Sequence, residues 1–201
     1  MRTLNTAGNK LTGLSMVSRT IRRDNLTLCI DRSNKVRIYF HDRELTKSQG
    51  LDFLVSCAGL WHGLSESHLS LRKISRDKIS VLVKFKQLPL ILHWVIELAG
   101  GNRINWKSSI ELKRPFSVDA LKASISFTDC YGAWFNDQGQ ENKFPQFKEA
   151  QTLLCQAQGS AFLAINSTES QIPPLEFKVK GAHNNFIISN NIKYFKRKFT
   201  Y

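Results

Sequence analysis

The chain lacks any long apolar stretch. Hydrophobic residues make up 42% of its 201 residues, but no run approaches the roughly 18 apolar residues that a membrane-spanning helix needs. The N-terminus also lacks the apolar core of a secretory signal peptide. These two absences predict a cytoplasmic protein with no membrane span.

Cysteine is scarce, and its spacing excludes the common metal and redox motifs. The four cysteines contain no Cys-x-x-Cys pair, so neither a zinc knuckle nor a thioredoxin-like site is supported. The five histidines likewise show no metal-ligand spacing. We therefore expect no metal and no cofactor, and we expect the cysteines to be reduced and structural. These are Cys29, Cys57, Cys130 and Cys155.

Familiar catalytic motifs are missing as well. The sequence contains no Gly-x-Ser-x-Gly, no His-Glu-x-x-His, no P-loop and no Gly-x-Gly-x-x-Gly. Each of these motifs places a nucleophile, a metal or a phosphate in a defined local geometry. Without them the sequence favours a non-catalytic role, although it leaves the question of enzymatic activity open.

Acidic residues are absent from both ends of the chain. Residues 1–23 carry five bases and residues 191–201 carry four, whereas the body at 24–190 has 20 bases and 16 acids. The net charge of +13 therefore lies mainly on the ends, and a basic end can bind nucleic acid or another polyanion. The alternative is an edge strand shielded by its lysines. The candidate polyanion-binding residues are Lys193, Lys196, Arg197 and Lys198.

The dominant positive feature of the chain is its strand pattern. In residues 79–113 apolar and polar side chains alternate on both sides of the turn Ala99-Gly100-Gly101-Asn102, which indicates successive antiparallel strands. With about twelve short strands of this kind, the chain is predicted to be all-β, a large antiparallel β-sandwich with at most one or two short helices. Residues 147–156 could form a helix or a strand. The predicted parts are a basic lead-in (1–23), the sandwich domain (24–190) and a C-terminal strand or tail (191–201).

Two predicted loops, 58–67 and 128–139, combine aromatic and polar residues. Flat aromatic faces stack on the apolar side of a sugar ring, while carboxylates and amides bind its hydroxyls. The sequence therefore predicts a carbohydrate-binding face on these loops. The alternative is that the aromatic rings close one end of the hydrophobic core. The candidate ligand-binding residues are Trp61, His62, Asp129, Tyr131, Trp134 and Asp137.

A second polar set lies in the segment LILHWVIEL. In an alternating strand His93 and Glu97 share one face, and Trp94 lies on the other. A histidine and a carboxylate on one concave face could act as acid and base on a sugar, which makes His93 and Glu97 the candidate catalytic pair. The alternative is a solvent-facing polar row behind a buried row.

Three segments carry a family resemblance: VRIYFHDRELTKSQGL, LPLILHWVIELAGGNRINWKSSIEL and FTDCYGAWF. In the regular spacing of their predicted strands and in the positions of their aromatic residues, they resemble the β-sandwich domains of carbohydrate-active and polysaccharide-biosynthesis proteins. The galactose-mutarotase-like supersandwich is the nearest fold. The resemblance covers residues 24–190 and implies carbohydrate or a glycan-processing protein as the partner. Active members use a histidine and a carboxylate in the concave sheet. No family motif aligns with His93 and Glu97, so the resemblance assigns them no role, and the short chain implies a trimmed, non-catalytic form.

Overall fold

The computed structural model describes residues 19–135, 139–144, 151–156, 162–178, 186–191 and 196–200. In these residues the fold is all-β, with eighteen strands and one 3₁₀ turn, Leu64–Glu66. The strands are β1 (Thr20–Arg23), β2 (Leu26–Ile30), β3 (Val36–Phe40), β4 (Arg43–Glu44), β5 (Thr46–Cys57), β6 (Leu60–His62), β7 (Ser67–Lys73), β8 (Lys78–Phe85), β9 (Leu90–Ala99), β10 (Arg103–Leu112), β11 (Ala120–Thr128), β12 (Tyr131–Phe135), β13 (Glu141–Lys143), β14 (Gln151–Gln156), β15 (Phe162–Ser167), β16 (Leu175–Lys178), β17 (Phe186–Asn191) and β18 (Lys196–Thr200).

The largest sheet has ten antiparallel strands. Its main path runs β1-β2-β3-β5-β11-β18-β17-β14, with β4 paired to β3 and β6 paired to β5. The hairpin predicted in the first forty residues is β2–β3, in which Leu26 pairs with Phe40. Gly50 allows β5 to pass close to β3, because a Cβ at this position would lie 1.7 Å from the carbonyl oxygen of Val36. Its φ of +70° is also a conformation that favours glycine.

The second sheet has four antiparallel strands in the order β10-β9-β8-β7. The β9–β10 hairpin turns through Gly101 and Asn102, which both have positive φ, as tight hairpins often require. Burial alternates along β9, so that Leu92, Trp94 and Ile96 are buried while the residues between them are half-buried. The antiparallel strands and the turn predicted for residues 79–113 are therefore confirmed.

The third sheet, in the order β13-β12-β15-β16, includes strands where the sequence predicts loops. Tyr131–Phe135 pairs with both Glu141–Lys143 and Phe162–Ser167. The loop predictions were wrong for Tyr131–Phe135 and Glu141–Lys143, because strand preference depends on packing and on partner strands as well as on local composition. Turn-forming residues such as Gly132 obscure that preference in the local pattern.

Two other segments differ from their predicted local structure. The predicted loop over 58–67 contains the strand Leu60–His62 and the turn Leu64–Glu66. Gln151–Gln156, left open between helix and strand, is a strand paired with β17. Both strands are short, and their pairing with a neighbouring strand, rather than their composition, fixes their conformation.

One hydrophobic core joins the three sheets. In the second sheet, the rings of Trp94 and Trp106 meet edge to face at 5.1 Å. At the junction of the large and third sheets, Phe127 lies 5.8 Å from the ring of Tyr131 and 5.0 Å from that of Phe177. The described residues thus form an all-β antiparallel sandwich, in agreement with the fold class predicted from the sequence.

The C-terminal basic segment contributes an interior strand. Lys196–Thr200 pairs with β11 on one side and with β17 on the other, so the prediction of an edge strand was wrong. The lysines there do not protect a free sheet edge, because both edges of this strand are occupied. Lys193 lies outside the described residues, as do residues 1–18 of the basic lead-in.

Candidate functional site

Two of the predicted ligand residues, Trp61 and His62, are neighbours in strand β6. The strand pairs with the end of β5, with Ser56 opposite Trp61 and Val55 opposite His62. Because successive side chains of a strand point to opposite faces, Trp61 and His62 face different environments. Trp61 is 42% exposed, whereas His62 is 7% exposed.

His62 lines a cavity of about 250 Å³ at this end of the sandwich. The cavity lies between the Leu64–Glu66 turn and the turn that follows β8. Its walls combine one aromatic ring with carboxylate, ammonium, amide, hydroxyl and imidazole groups, so that apolar and polar surface meet there. The lining residues are His62, Ser65, Glu66, Phe85, Lys86 and Gln87. We call this the β6 cavity.

A histidine–carboxylate pair orients the polar side of the β6 cavity. Nδ1 of His62 lies 3.3 Å from Oε2 of Glu66. Because an ionised carboxylate only accepts hydrogen bonds, Nδ1 carries the proton in this pair. In the neutral ring that leaves Nε2 as an acceptor. The His62 side chain is 9% exposed and that of Glu66 is 54% exposed, so the carboxylate reaches solvent while the ring is held in place.

Hydrogen bonds from side chains to backbone carbonyls fix the turn that carries Glu66. The hydroxyl of Ser67 donates to the carbonyl of Leu64 at 2.7 Å, and the side-chain amide of Asn34 donates to the carbonyls of Leu64 and Ser67. Asn34 belongs to the β2–β3 turn, where its positive φ of 64° suits asparagine. The turn is therefore tied to the sandwich, and the cavity wall is preorganised.

Trp61 lies on the outer face of the same strand. The ammonium of Lys122 sits 4.3 Å from the centroid of its ring, a cation–π contact. Below it, a carboxylate oxygen of Asp119 accepts hydrogen bonds from the Ser56 hydroxyl at 3.3 Å and from the Gly59 N–H at 3.0 Å. The turn before β6 is thereby held rigid, and Trp61 presents a partly exposed ring on a fixed support.

The other half of the predicted carbohydrate-binding set is not part of this site. Tyr131 is 0% exposed and Trp134 is 6% exposed. They follow the far end of β11, whose first residue, Ala120, pairs with Ser56 beside β6. Nine residues of strand at about 3.3 Å each separate the two ends by roughly 25 Å. The structure therefore does not bring Trp61 together with Tyr131 or Trp134.

Tyr131 and Trp134 occupy the packed end of the sandwich. The hydroxyl of Tyr131 donates to the carbonyl of Pro173 at 3.3 Å, and burial raises the pKa of this phenol far above its ordinary value. Within the described part of the chain, Nε1 of Trp134 is buried without a hydrogen-bond partner. Asp129 is exposed nearby, and Asp137 lies outside the described residues.

The candidate pair His93 and Glu97 shares the outward face of β9, as the alternation predicts. Each is bonded elsewhere: Nε2 of His93 lies 2.9 Å from Glu111, and Glu97 lies 3.4 Å from the ammonium of Lys78. Hydrogen bonds from Lys113 and from His93 lower the pKa of Glu111. Four residues apart on an extended strand, the pair is separated by roughly 13 Å. Neither residue lines the β6 cavity.

Apart from His62, the residues of the polar wall of the β6 cavity were not predicted from the sequence. The spacing of His62 and Glu66, four residues apart in a Gly- and Ser-rich segment, is the one local signal, and it becomes meaningful only if a helical turn joins them. Lys86 and Gln87 come from a distant turn that the fold brings alongside. Lys122 carries no local signal at all, because its contact with Trp61 depends on strand pairing through β5.

Comparison with known proteins gives no match: no family model, no curated protein and no solved structure is similar to this chain. The described residues hold no group of three or more His, Cys, Asp or Glu side chains placed to bind a metal ion. The same residues include no helix with the length and apolar character needed to cross a membrane.

Proposed function

We propose that this protein is a non-catalytic carbohydrate-binding module whose ligand site is the β6 cavity. The observation that carries the proposal is the lining of the cavity, where the polar groups of His62, Glu66 and Gln87 meet the ring of Phe85. Sugars present both hydroxyls and an apolar ring face, and such a wall complements both.

The size of the cavity favours a single sugar ring as the bound unit. At about 250 Å³ it lies just below the roughly 300–1,000 Å³ of typical small-molecule pockets. Glu66 accepts hydrogen bonds from hydroxyls, Gln87 can both donate and accept, and Lys86 donates. This mixture suits the vicinal hydroxyls of a sugar better than it suits an apolar ligand.

The number of carboxyl groups that line the β6 cavity favours a binding role over glycoside hydrolysis. Glycoside hydrolysis commonly uses two carboxyl groups that flank the scissile bond. Among the residues that line the β6 cavity, Glu66 is the one carboxylate, and His62 already contacts it. The resemblance to mutarotase-like sandwiches is compatible with a ligand site of this kind, and mutarotase activity at His93 and Glu97 stays a prediction without a shared pocket to support it.

The polyanion alternative places the ligand on the C-terminal basic segment. Lys196, Arg197 and Lys198 lie in β18, between two other strands. Binding of nucleic acid there would have to use a sheet face rather than a free basic tail. Polyanion binding predicts affinity that falls steeply with salt, which distinguishes it from the carbohydrate proposal.

A glycan-array screen of the full chain at two salt concentrations tests the proposal. We expect binding to a defined glycan at both concentrations, since hydrogen bonds and ring stacking depend little on ionic strength. Glu66→Gln should abolish the signal, because it replaces an acceptor-only group and loosens His62. Absence of any glycan signal, or a signal confined to acidic polymers at low salt, would overturn the proposal.

A second variant locates the site on the correct face of β6. Trp61→Ala removes the exposed ring on the outer face and leaves the cavity wall in place. We expect Trp61→Ala to retain binding of the glycan that Glu66→Gln loses. The opposite result would move the carbohydrate site to the outer face, with the ring of Trp61 as its stacking platform.

A further inference from the structure

In the part of the chain that the structure describes, the strand β10 is an open edge of the second sheet. Within the described residues it pairs only with β9, through ten residues from Arg103 to Leu112. The side chains of its second half are exposed on both faces. A long edge strand of this kind offers unpaired backbone groups to another strand.

The ladder with β9 shows which backbone groups face outward. The N–H of Lys113 donates to the carbonyl of Pro89 at 2.8 Å, so Lys113 directs its backbone toward β9. In an antiparallel pair this direction alternates along the strand. The odd-numbered residues of β10 therefore bond to β9, and the even-numbered residues direct N–H and C=O toward the open edge. These are Ile104, Trp106, Ser108, Ile110 and Leu112.

The side chains of the same even-numbered residues point to the face of the sheet that packs against the core. The core does not cover the last two side chains of this row. Ile110 is 37% exposed and Leu112 is 53% exposed, although their partners on β9, Leu92 and Leu90, are buried. Two exposed aliphatic side chains beside open backbone groups mark this edge as an interaction surface.

The charges of β10 are complementary to those of the same strand run in the opposite direction. If two copies pair antiparallel about Ser109, Lys107 of each copy lies opposite Glu111 of the other. Directly opposite charges of unlike sign stabilise a strand pair, and like charges destabilise it. Centring the pair on Lys107 or on Glu111 would instead oppose two identical charges.

The same register also matches the apolar row and the backbone. Pairing about Ser109 places Leu112 of one copy opposite Trp106 of the other, and Ile110 opposite Ser108. These are the residues with outward backbone groups, so each such pair forms hydrogen bonds across the new interface. The arrangement is isologous, as a two-fold symmetric dimer requires.

We propose that β10 is a dimerisation edge, on which a second copy of this chain pairs antiparallel about Ser109. The occupant is another copy because the charge pattern is self-complementary in one register. The joined sheets would continue from β7 of one copy to β7 of the other. No residue of β10 lines the β6 cavity, so dimerisation can be tested independently of carbohydrate binding.

A charge swap tests the proposal by sedimentation velocity over a range of protein concentrations. The wild-type chain should dimerise reversibly. Lys107→Glu and Glu111→Lys should each weaken dimerisation by about tenfold or more, because each opposes like charges at two symmetric positions. Because the two positions face one another, the double variant Lys107→Glu/Glu111→Lys should restore the dimer.

A backbone variant provides a control that does not depend on charge. Ser108→Pro removes an outward N–H and leaves the ladder with β9 intact, as proline tolerates an edge position. It should give a monomer with unchanged circular dichroism. A wild-type chain that is monomeric at all concentrations, a dimer that persists in Ser108→Pro, or a double variant that stays monomeric would each overturn the proposal.

Discussion

Similar residue types lie near the two ends of β11, but in very different environments. Beside one end, the ring of Trp61 is partly exposed and His62 lines the β6 cavity. Beyond the other end, Tyr131 and Trp134 are buried in the core. In the sequence both pairs lie among Gly, Ser and Asp residues and read as binding loops. The difference shows that aromatic composition identifies large side chains, while the strand pairing around them decides whether a ligand can reach them.

Truncation of Trp134 is the strongest way to test this contrast. Trp134→Ala should lower the free energy of unfolding by about 3–5 kcal/mol, because it leaves a large cavity in packed surroundings. Urea unfolding followed by circular dichroism measures this loss. A change below about 1 kcal/mol would mean that the ring is not packed in the core.

Removal of the Tyr131 hydroxyl should have a smaller and pH-dependent effect. Tyr131→Phe deletes the hydrogen bond to Pro173 and should cost about 0.5–1.5 kcal/mol at neutral pH. Burial raises the folded-state pKa of Tyr131 above the unfolded value near 10. The folded state therefore keeps its proton when the unfolded state releases it, and stability is lost as pH rises above about 10.

The pH dependence distinguishes burial from a simple hydrogen bond. Above pH about 10 the wild type should lose stability faster than Tyr131→Phe, because the phenylalanine variant has no proton to release at this position. Urea unfolding of both proteins at neutral and alkaline pH measures the difference. Parallel curves would show that Tyr131 is accessible to water and can ionise in the folded state.

Truncation of Trp61 should have the smallest effect on stability. Trp61→Ala removes a partly exposed ring and its contact with Lys122, and such contacts contribute about 0.5–1 kcal/mol at exposed sites. Thermal unfolding of Trp61→Ala beside Trp134→Ala compares the two ends directly. Equal losses in the two variants would remove the distinction between an open end and a packed end.

The sequence predicts strands well where alternation and turn chemistry agree. The β9–β10 hairpin combines a buried row containing Trp94 with a turn whose Gly101 and Asn102 accept positive φ, so local information is sufficient. Strand β12 could not be found in this way, because its neighbours along the chain are turn formers and one of its two partner strands, β15, is distant in sequence. Local patterns carry no information on such long-range pairing.

The position of the site was only half predictable for a similar reason. Trp61 and His62 could be selected because large aromatic and titratable side chains stood between glycines. The alternation that sends them to opposite faces appears only once Leu60–His62 is known to be a strand. Phe85, Lys86 and Gln87 reach the cavity through the packing of the second sheet against β6 and its following turn, which no local pattern reports.

A sugar bound in the β6 cavity should contact Glu66. Titration calorimetry with the best-bound array glycan should compare the wild type with Glu66→Gln and with Glu97→Gln, a matched change at an ion-paired glutamate outside the cavity. We predict that Glu66→Gln loses binding and that Glu97→Gln retains the affinity of the wild type. Equal affinity in all three proteins would contradict a carbohydrate site in the β6 cavity.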